Sequence, residues 1–465
     1  MDGQVGIANR AHWARGEFEA ACLGDVRRTR RLVKVAEQMA GNSSGSIPQQ
    51  TERLSDMKAA YRLFAQEAVT HEAVCRPHWQ RTREQAGALP MVFPAQDTTE
   101  LDFTHHERTR GLAPIGNGGG RGLHQQNVLA IDPVKGVPIG LMYQRHHRRK
   151  EAPEGETRTG LRQRPLAERE SFWWVEAIAQ IGSPPEGVRW VHVLDRGGDA
   201  FAIYDAIRET GTDFIIRAAH NRRIASEGGP EYLFDYARSL PSLGAFELTV
   251  RVEGSSPREA NLQVAAGAVA LLPTRTEPEL RHRPQIPCAV VRVWEDDPPA
   301  DTKGLEWILT TSLPTATFQE AEHVPKGYGL RWLVEEFHKC EKTGCRVEER
   351  QLRDTDRLEP LIGLLSVLAV HLLQLKYVAR ANPQRPARDL FGDETVEVMA
   401  RYLQHPTQDL NVGMFWRGIG RLGGHPGRKS DGPLGWLRAW RGWQAFQLIL
   451  VGANLPPPAT AMRCG

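Results

Sequence analysis

The sequence predicts an α/β core with a β-rich insertion, flanked by all-α segments at both ends. Three observations carry that reading. Apolar, strand-like runs at residues 91–103, 189–195 and 306–312 alternate with helical patterns, the rhythm of a sheet covered by helices. Between about 230 and 304 the pattern turns to short alternating strands, 245–252, 262–272 and 287–294, separated by charged, Pro-rich turns. Residues 1 to about 75, and the chain beyond the Pro-containing stretch 382–386, read as helical. The resulting boundaries are 1–75, 76–229, 230–304, 305–382 and 383–465, with 76–229 and 305–382 forming two parts of one core.

A chain of 465 residues is long enough for a sizeable buried core divided among two to four domains. Its formal charge of +3 is nearly balanced, so any nucleic-acid surface must be a local patch rather than a global field. The six cysteines, at 22, 75, 288, 340, 345 and 464, show neither a disulfide framework nor metal-ligand spacing. They read as reduced packing residues of a cytoplasmic protein. No signal peptide is expected, and the most apolar run, Leu361 to Leu375, reads as a buried helix too short to span a bilayer. A membrane partner is therefore not expected.

Within the helical N-terminal part, residues 21–40 hold a dense basic block, Arg27, Arg28, Arg30, Arg31 and Lys34, with Asp25 as a candidate helix N-cap. A solvated face and a phosphate-contacting face both fit it, and the preference for arginine suits contact with duplex DNA. Asp97 stands where the run 91–103 turns polar, as a turn former or a ligand. The stretch 116–122 is glycine-rich but lacks the Lys-Ser/Thr ending of a nucleotide-binding loop, so no nucleotide cofactor is expected. Residues 127–132 and 137–143 read as a hairpin around 133–136. His146 and His147 are adjacent and point apart in a strand, which disfavours a shared metal. Asp195 ends the next apolar strand, with Asp199 as a rival ligand, and Arg217 closes the strand after it. Trp307 fits either a packed core or an aromatic platform. Trp416, Trp436, Trp440 and Trp443 in the C-terminal part fit either a small core or a subunit interface.

The stretch that joins these parts is Tyr328 to Lys342, bounded by Gly327 and Gly344 and expected as one helix of about four turns. At about 100° per residue, Tyr328, Arg331, Glu335 and Lys342 fall within an arc of roughly 60°. Leu330, Leu333, Val334, Phe337 and Cys340 gather on the other side. Such a polar row fits a solvated face with helix-spaced ion pairs, and equally a phosphate backbone with a metal held beside it.

The spacing Tyr-x2-Arg-x3-Glu-x6-Lys resembles the signature of bacterial cut-and-paste Asp-Asp-Glu transposases of the insertion-sequence-four family. Further matches extend the likeness over nearly the whole chain: Leu23-Gly24-Asp25, Asp97-Thr98-Thr99, Asp195-Arg196, Trp307, Glu335 to Lys339, Lys342-Thr343-Gly344 and Arg421-Leu422-Gly423-Gly424. The resemblance implies a ribonuclease-H-like core, a mixed five-stranded sheet with helices, in which Asp97, Asp195 and Glu335 are both the catalytic residues and the metal ligands. Three carboxylates without a His or Cys set favour hard cations, so Mg²⁺ or Mn²⁺ is expected, two ions per site. It further implies end recognition through Arg27, Arg28, Arg30 and Arg31, and phosphate contacts from Tyr328, Arg331, Lys339, Lys342 and Arg217. Trp307 would receive an extruded base. The implied partners are double-stranded DNA, as transposon ends and target, and a second copy of the chain. The implied reactions are end nicking, hairpin formation and opening, and strand transfer. A catalytically silent DNA-binding regulator is the competing reading.

Overall fold

A computed structural model describes residues 10–116, 119–149, 164–226, 232–250, 258–274, 277–299, 304–428, 431–432, 434–453 and 455. Positions 117–118 of the glycine-rich stretch, residues 150–163 and 251–252, and Cys464 lie outside the described residues. The chain divides into a sheet unit, Trp79–Glu107 with Leu112–Glu335, and a helical unit, Met1–His78, Arg108–Gly111 and Glu336–Gly465.

Among the described residues the sheet unit contains eleven strands: β1 (Met91–Asp102), β2 (Ala113–Ile115), β3 (Gly120–Asp132), β4 (Val137–His147), β5 (Arg189–Leu194), β6 (Asp213–Arg217), β7 (Ile224–Ala225), β8 (Gly244–Val250), β9 (Arg258–Leu271), β10 (Ile286–Glu295) and β11 (Glu306–Thr311). Their order is β2-β3-β1-β5-β6-β11-β10-β9-β7, with β4 on β3 and β8 on β9. The pairs β1/β5 and β5/β6 are parallel and the others antiparallel. The core is thus a mixed sheet, but not a five-stranded one with a separate β insertion. One edge of β11 pairs with β6 and the other with β10. The inserted strands therefore satisfy their backbone groups by prolonging the same sheet.

The helices Ser171–Ile181 and Phe201–Thr210 bury Trp174, Ile178, Phe201, Tyr204 and Ile207 with Leu194, Phe214 and Ile216. Amphipathic spacing in the helices and apolar strand faces make this cover. A third helix, Phe318–Gly329, opens on a capping box in which Thr317 accepts from Glu320 N at 3.3 Å. It closes down on the sheet at Gly327, where a side chain would stand 2.9 Å from Phe93 and 3.1 Å from Ile215.

The expected single helix over Tyr328–Lys342 is divided. Tyr328 belongs to the last turn of Phe318–Gly329, Glu335 to a second helix, Trp332–Lys339, and Lys342 to one turn of π-helix, Cys340–Gly344. Between the first two, Leu330, Arg331, Leu333 and Val334 donate in i→i−3 bonds to Gly327, Tyr328, Leu330 and Arg331. Gly327 and Gly329, poor helix formers, let the backbone tighten there. The apolar side still packs: Leu333, Val334, Phe337 and Cys340 are buried, and Leu330 is half-buried.

The helical unit is organised around Thr355–Ala381. Its 27 residues exceed the expected 361–375 run and make it long and apolar enough to cross a membrane, yet 88% of its most apolar window is buried. It packs as a core helix: His371 stacks near Trp13 at 4.9 Å, and Ala369 O accepts from Cys340 Sγ at 3.2 Å. The basic helix runs Val26–Gly41, with Asp25, the expected N-cap, accepting from Arg27 N at 2.8 Å. Near the C-terminus the helices Val412–Leu422 and Trp436–Ala453 cross at glycines. A Cβ at Gly442 would stand 1.8 Å from Ile419 O, and one at Gly423 1.8 Å from Arg438 O. Trp436 stacks on Trp440 at 5.8 Å and Trp416 on Trp443 at 5.9 Å beside this crossing. Gly442→Ala is expected to destabilise the helical unit by about 2–3 kcal/mol through overpacking, read as a lower urea midpoint; an unchanged midpoint would show that the crossing yields freely.

Candidate active site

The positions of the two aspartates follow from strand register. Ala95 on β1 pairs with Val193 on β5, in parallel. Asp97 and Asp195 each lie two residues further on, so they emerge side by side at the same end of the sheet. Asp97 is not at a strand end as expected; it lies inside the twelve-residue β1, opposite Asn127 of β3. The strand continues because β3 pairs with it as far as Asp102, although β5 has already ended at Leu194. Asp195 caps the short helix Arg196–Gly198 and accepts from Gly197 N at 2.8 Å.

Arg331, in the tight link between the two helices, joins this end of the sheet to Glu335. Its Nη1 donates to Asp97 Oδ2 at 3.3 Å and its Nη2 to Glu335 Oε1. The Asp97 carboxyl is pushed up to about 7 by burial first and then by Asp195, with Glu335 adding and Arg331 opposing. Burial works against the charge of Arg331, but Tyr328, Asp97 and Glu335 more than offset it and hold the guanidinium cationic. Asp97, Asp195 and Glu335 therefore share one electrostatic field. Among the described residues, no three such side chains are drawn close enough to form a ready metal cage.

Tyr328 is buried beneath Arg331, whose guanidinium lies 5.9 Å from its ring centre, and its phenol is shifted up chiefly by that burial. The half-buried Trp307 meets Tyr328 edge-on at 5.7 Å. Register places Arg217 at the same end: it pairs with Leu309 on the antiparallel β11, two residues from Trp307. Tyr328, Arg331, Arg217 and Trp307 thus gather beside the acids. Lys339 and Lys342 belong to the helical unit; Lys339 is exposed, and Lys342 pairs with Glu348 at 3.4 Å.

The rival acids are engaged elsewhere. Asp199 accepts from Tyr204 Oη, Ala219 N and His220 N at 2.9, 2.7 and 3.0 Å and pairs with Arg222. Glu336 is held by Lys376 at 2.8 Å and Tyr377 Oη at 2.7 Å. His146 bonds to Gln125 while His147 stacks on Trp173 at 4.5 Å, so the adjacent histidines do diverge.

In the basic helix, Arg27 is bound to Asp25, Arg28 to Leu23 O at 3.0 Å, and Arg31 shares Asp56 with Lys34. Arg30 is exposed.

Sequence reasoning missed a buried polar layer around Asp97. Gln126 donates to Gln96 at 3.3 Å and accepts from Thr98, Gln96 reaches His192, and Gln144 donates to Asn127 at 2.7 Å. The signal was His124-Gln-Gln-Asn127, four polar residues inside an otherwise apolar strand.

The raised carboxyl has a consequence for stability. Because the folded value of Asp97 lies above its ordinary 3.8, its contribution is fully present below about pH 4 and is lost as pH rises toward 7. In chelator, Asp97→Asn should exceed the wild type by about 1–2 kcal/mol at pH 8, with the difference closing near pH 4. Calorimetry at the two pH values checks this, and an equal difference at both would contradict it.

Two family models match parts of the chain. Residues 10–69, which contain the basic helix, match a family model described as transposase DNA-binding. Residues 191–372, which contain Asp195 and Glu335 but not Asp97, match one described as transposase DDE domain. A DDE domain implies a ribonuclease-H-like core and, in general, divalent-metal chemistry. Carrying both similarities, one to a DNA-binding segment and one to a nuclease core, the chain is supported as a DNA transposase of the DDE class.

Proposed function

We propose that this protein is a cut-and-paste transposase of the insertion-sequence-four kind, the kind that includes the Tn-five transposase. It nicks DNA at the transposon end, forms and opens a hairpin, and transfers the freed 3′ end into target DNA. The observation that carries this reading is the shared electrostatic field of Asp97, Asp195 and Glu335 at the end of two parallel strands.

The donor set fits Mg²⁺ or Mn²⁺, two ions per site: the oxygens are hard, and no cysteine stands among them. The guanidinium lying between Asp97 and Glu335 marks where positive charge is wanted. When bound, the ions supply Lewis-acid stabilisation of the phosphoryl oxygens and a lowered pKa for attacking water. Arg331, Tyr328 and Arg217 bind phosphates beside the cut, with the planar fork of arginine suited to two phosphate oxygens. Trp307 offers its half-buried face to an extruded base.

Lys339 and Lys342 add phosphate contacts, and Arg27, Arg28, Arg30 and Arg31 recognise the transposon end. The exposed Leu437, Leu448, Ile449 and Val451 on Trp436–Ala453 support pairing with a second copy in the synaptic complex. The protein works on the bacterial nucleoid, in the cytoplasm.

Glu335→Gln should retain binding to duplexes carrying any short inverted repeats found to flank the coding region while losing cleavage in Mg²⁺ by roughly 10³-fold or more. Gel shift and strand nicking on one labelled duplex read both quantities. Retained cleavage would remove Glu335 from its role, and a wild type that binds but never nicks would favour the silent regulator. Arg30→Ala should weaken binding evenly across sequences and lower the salt slope by about 1, measured as log affinity against log salt.

A further inference from the structure

Arg331 is placed unusually for a residue whose only task is to hold DNA. It is seven-eighths buried, with 13% of its side chain exposed. Its two terminal nitrogens do not share one acid: Nη1 takes Asp97, from the sheet, and Nη2 takes Glu335, from the helix one turn on. A planar guanidinium held between two carboxylates does electrostatically what a bound cation would do. Its backbone sits in the tight i→i−3 link rather than inside a regular helix. The Tyr328 ring flanks it, offering a second surface on which it can rest.

We propose that Arg331 is the resident counter-cation of the acidic cluster: its guanidinium holds the place of a divalent cation between Asp97 and Glu335, so ion and arginine exclude each other there. The inference rests on the reading of these acids as metal ligands. The oxygens bonded to the guanidinium, Asp97 Oδ2 and Glu335 Oε1, are those facing the space between the two acids, and two cations in that space repel. Ion entry therefore requires the guanidinium to leave, which releases it toward a DNA phosphate. A phosphate that draws Arg331 away eases ion entry by the same free energy. The pair works as a mutual switch: acids neutralised by protein when DNA is absent, by metal when DNA is seated.

The sign of one measurement separates this role from simple scaffolding. The full-length, DNA-free protein is titrated with Mn²⁺, following the electron paramagnetic resonance signal of free Mn²⁺. If Arg331 competes with the ion, Arg331→Ala and Arg331→Gln tighten Mn²⁺ binding by roughly tenfold or more. Arg331→Lys falls between them and the wild type, because an ammonium cannot fork to both acids. A gain of affinity cannot come from a misfolded site. If Arg331 instead only props the carboxylates in place, its loss weakens Mn²⁺ binding, and equal or weaker binding in both neutral variants overturns the proposal. Glu335→Gln supplies the reference for the underlying reading. Mn²⁺ uptake that is indifferent to Glu335 in every variant would remove the metal site itself, and this inference with it; uptake that needs Glu335 but ignores Arg331 would remove only the latter.

Discussion

The Asp97 carboxyl lies in the field of Asp195 and Glu335, and the arrangement of the sheet unit answers that repulsion. A parallel pair of strands brings Asp97 and Asp195 abreast simply because Ala95 and Val193 are in register. Glu335 arrives from a helix, on the opposite side of a guanidinium that bridges it to Asp97. Without that bridge the cluster would have to hold protons or a metal to remain folded, because burial raises the cost of each unpaired charge. The raised carboxyl of Asp97 records what is left uncompensated. The site is therefore strained in charge rather than in backbone, and the one cation within it answers only part of that charge.

The scaffold keeps this strain local. Gly327 lets the helix Phe318–Gly329 lie against Phe93 and Ile215, which fixes the height of Tyr328 and the link that follows. The link tightens by a few i→i−3 bonds, and Glu335 then sits one turn beyond Arg331 on a new helix. A continuous helix from 318 to 344 would have carried Arg331 round a regular α-helical turn instead. The buried amides around Asp97 lock β1, β3 and β4 together by side-chain hydrogen bonds in addition to the ladder. Strand register, close helix approach and polar packing together give the acids their positions.

Much of this was legible in the residues because the signals were local. The acids announce themselves by interrupting apolar runs, Asp25 by preceding a helical pattern, and the hairpin at 133–136 by its turn residues. The boundaries of the site were less legible. Asp97 reads as a strand end because the chain turns polar there, yet β3 supplies a partner that keeps the backbone extended to Asp102. The segment 328–342 reads as one helix because its apolar period is unbroken, while the capping box at Thr317 starts a helix eleven residues before Tyr328 and the glycines tighten it. The β-rich stretch reads as a separate insertion because sequence carries no record of which free edge it meets. The edge of β11 decides that it joins the main sheet. The departures at Asp97 and in the β-rich stretch come from long-range partners, the information that a linear pattern lacks, while the break within 328–342 comes from local capping and glycine.

The same trade of partners runs through the cations of the helical unit. Arg31 and Lys34 share Asp56, Arg27 holds Asp25, and Arg28 holds a backbone carbonyl, so the basic helix rests with most of its charge answered internally. Contact with a phosphate backbone then exchanges one anion for another instead of neutralising free charge, and the net gain per arginine is smaller than a bare count of cations suggests. A near-neutral chain can therefore hold many arginines without binding every polyanion it meets. Geometry, meaning whether phosphates lie where Asp25 and Asp56 now lie, becomes the condition for binding. Arg331 repeats that arrangement inside the sheet unit, with Asp97 and Glu335 as the internal anions, so that its positive charge and their negative charge answer one another within the protein.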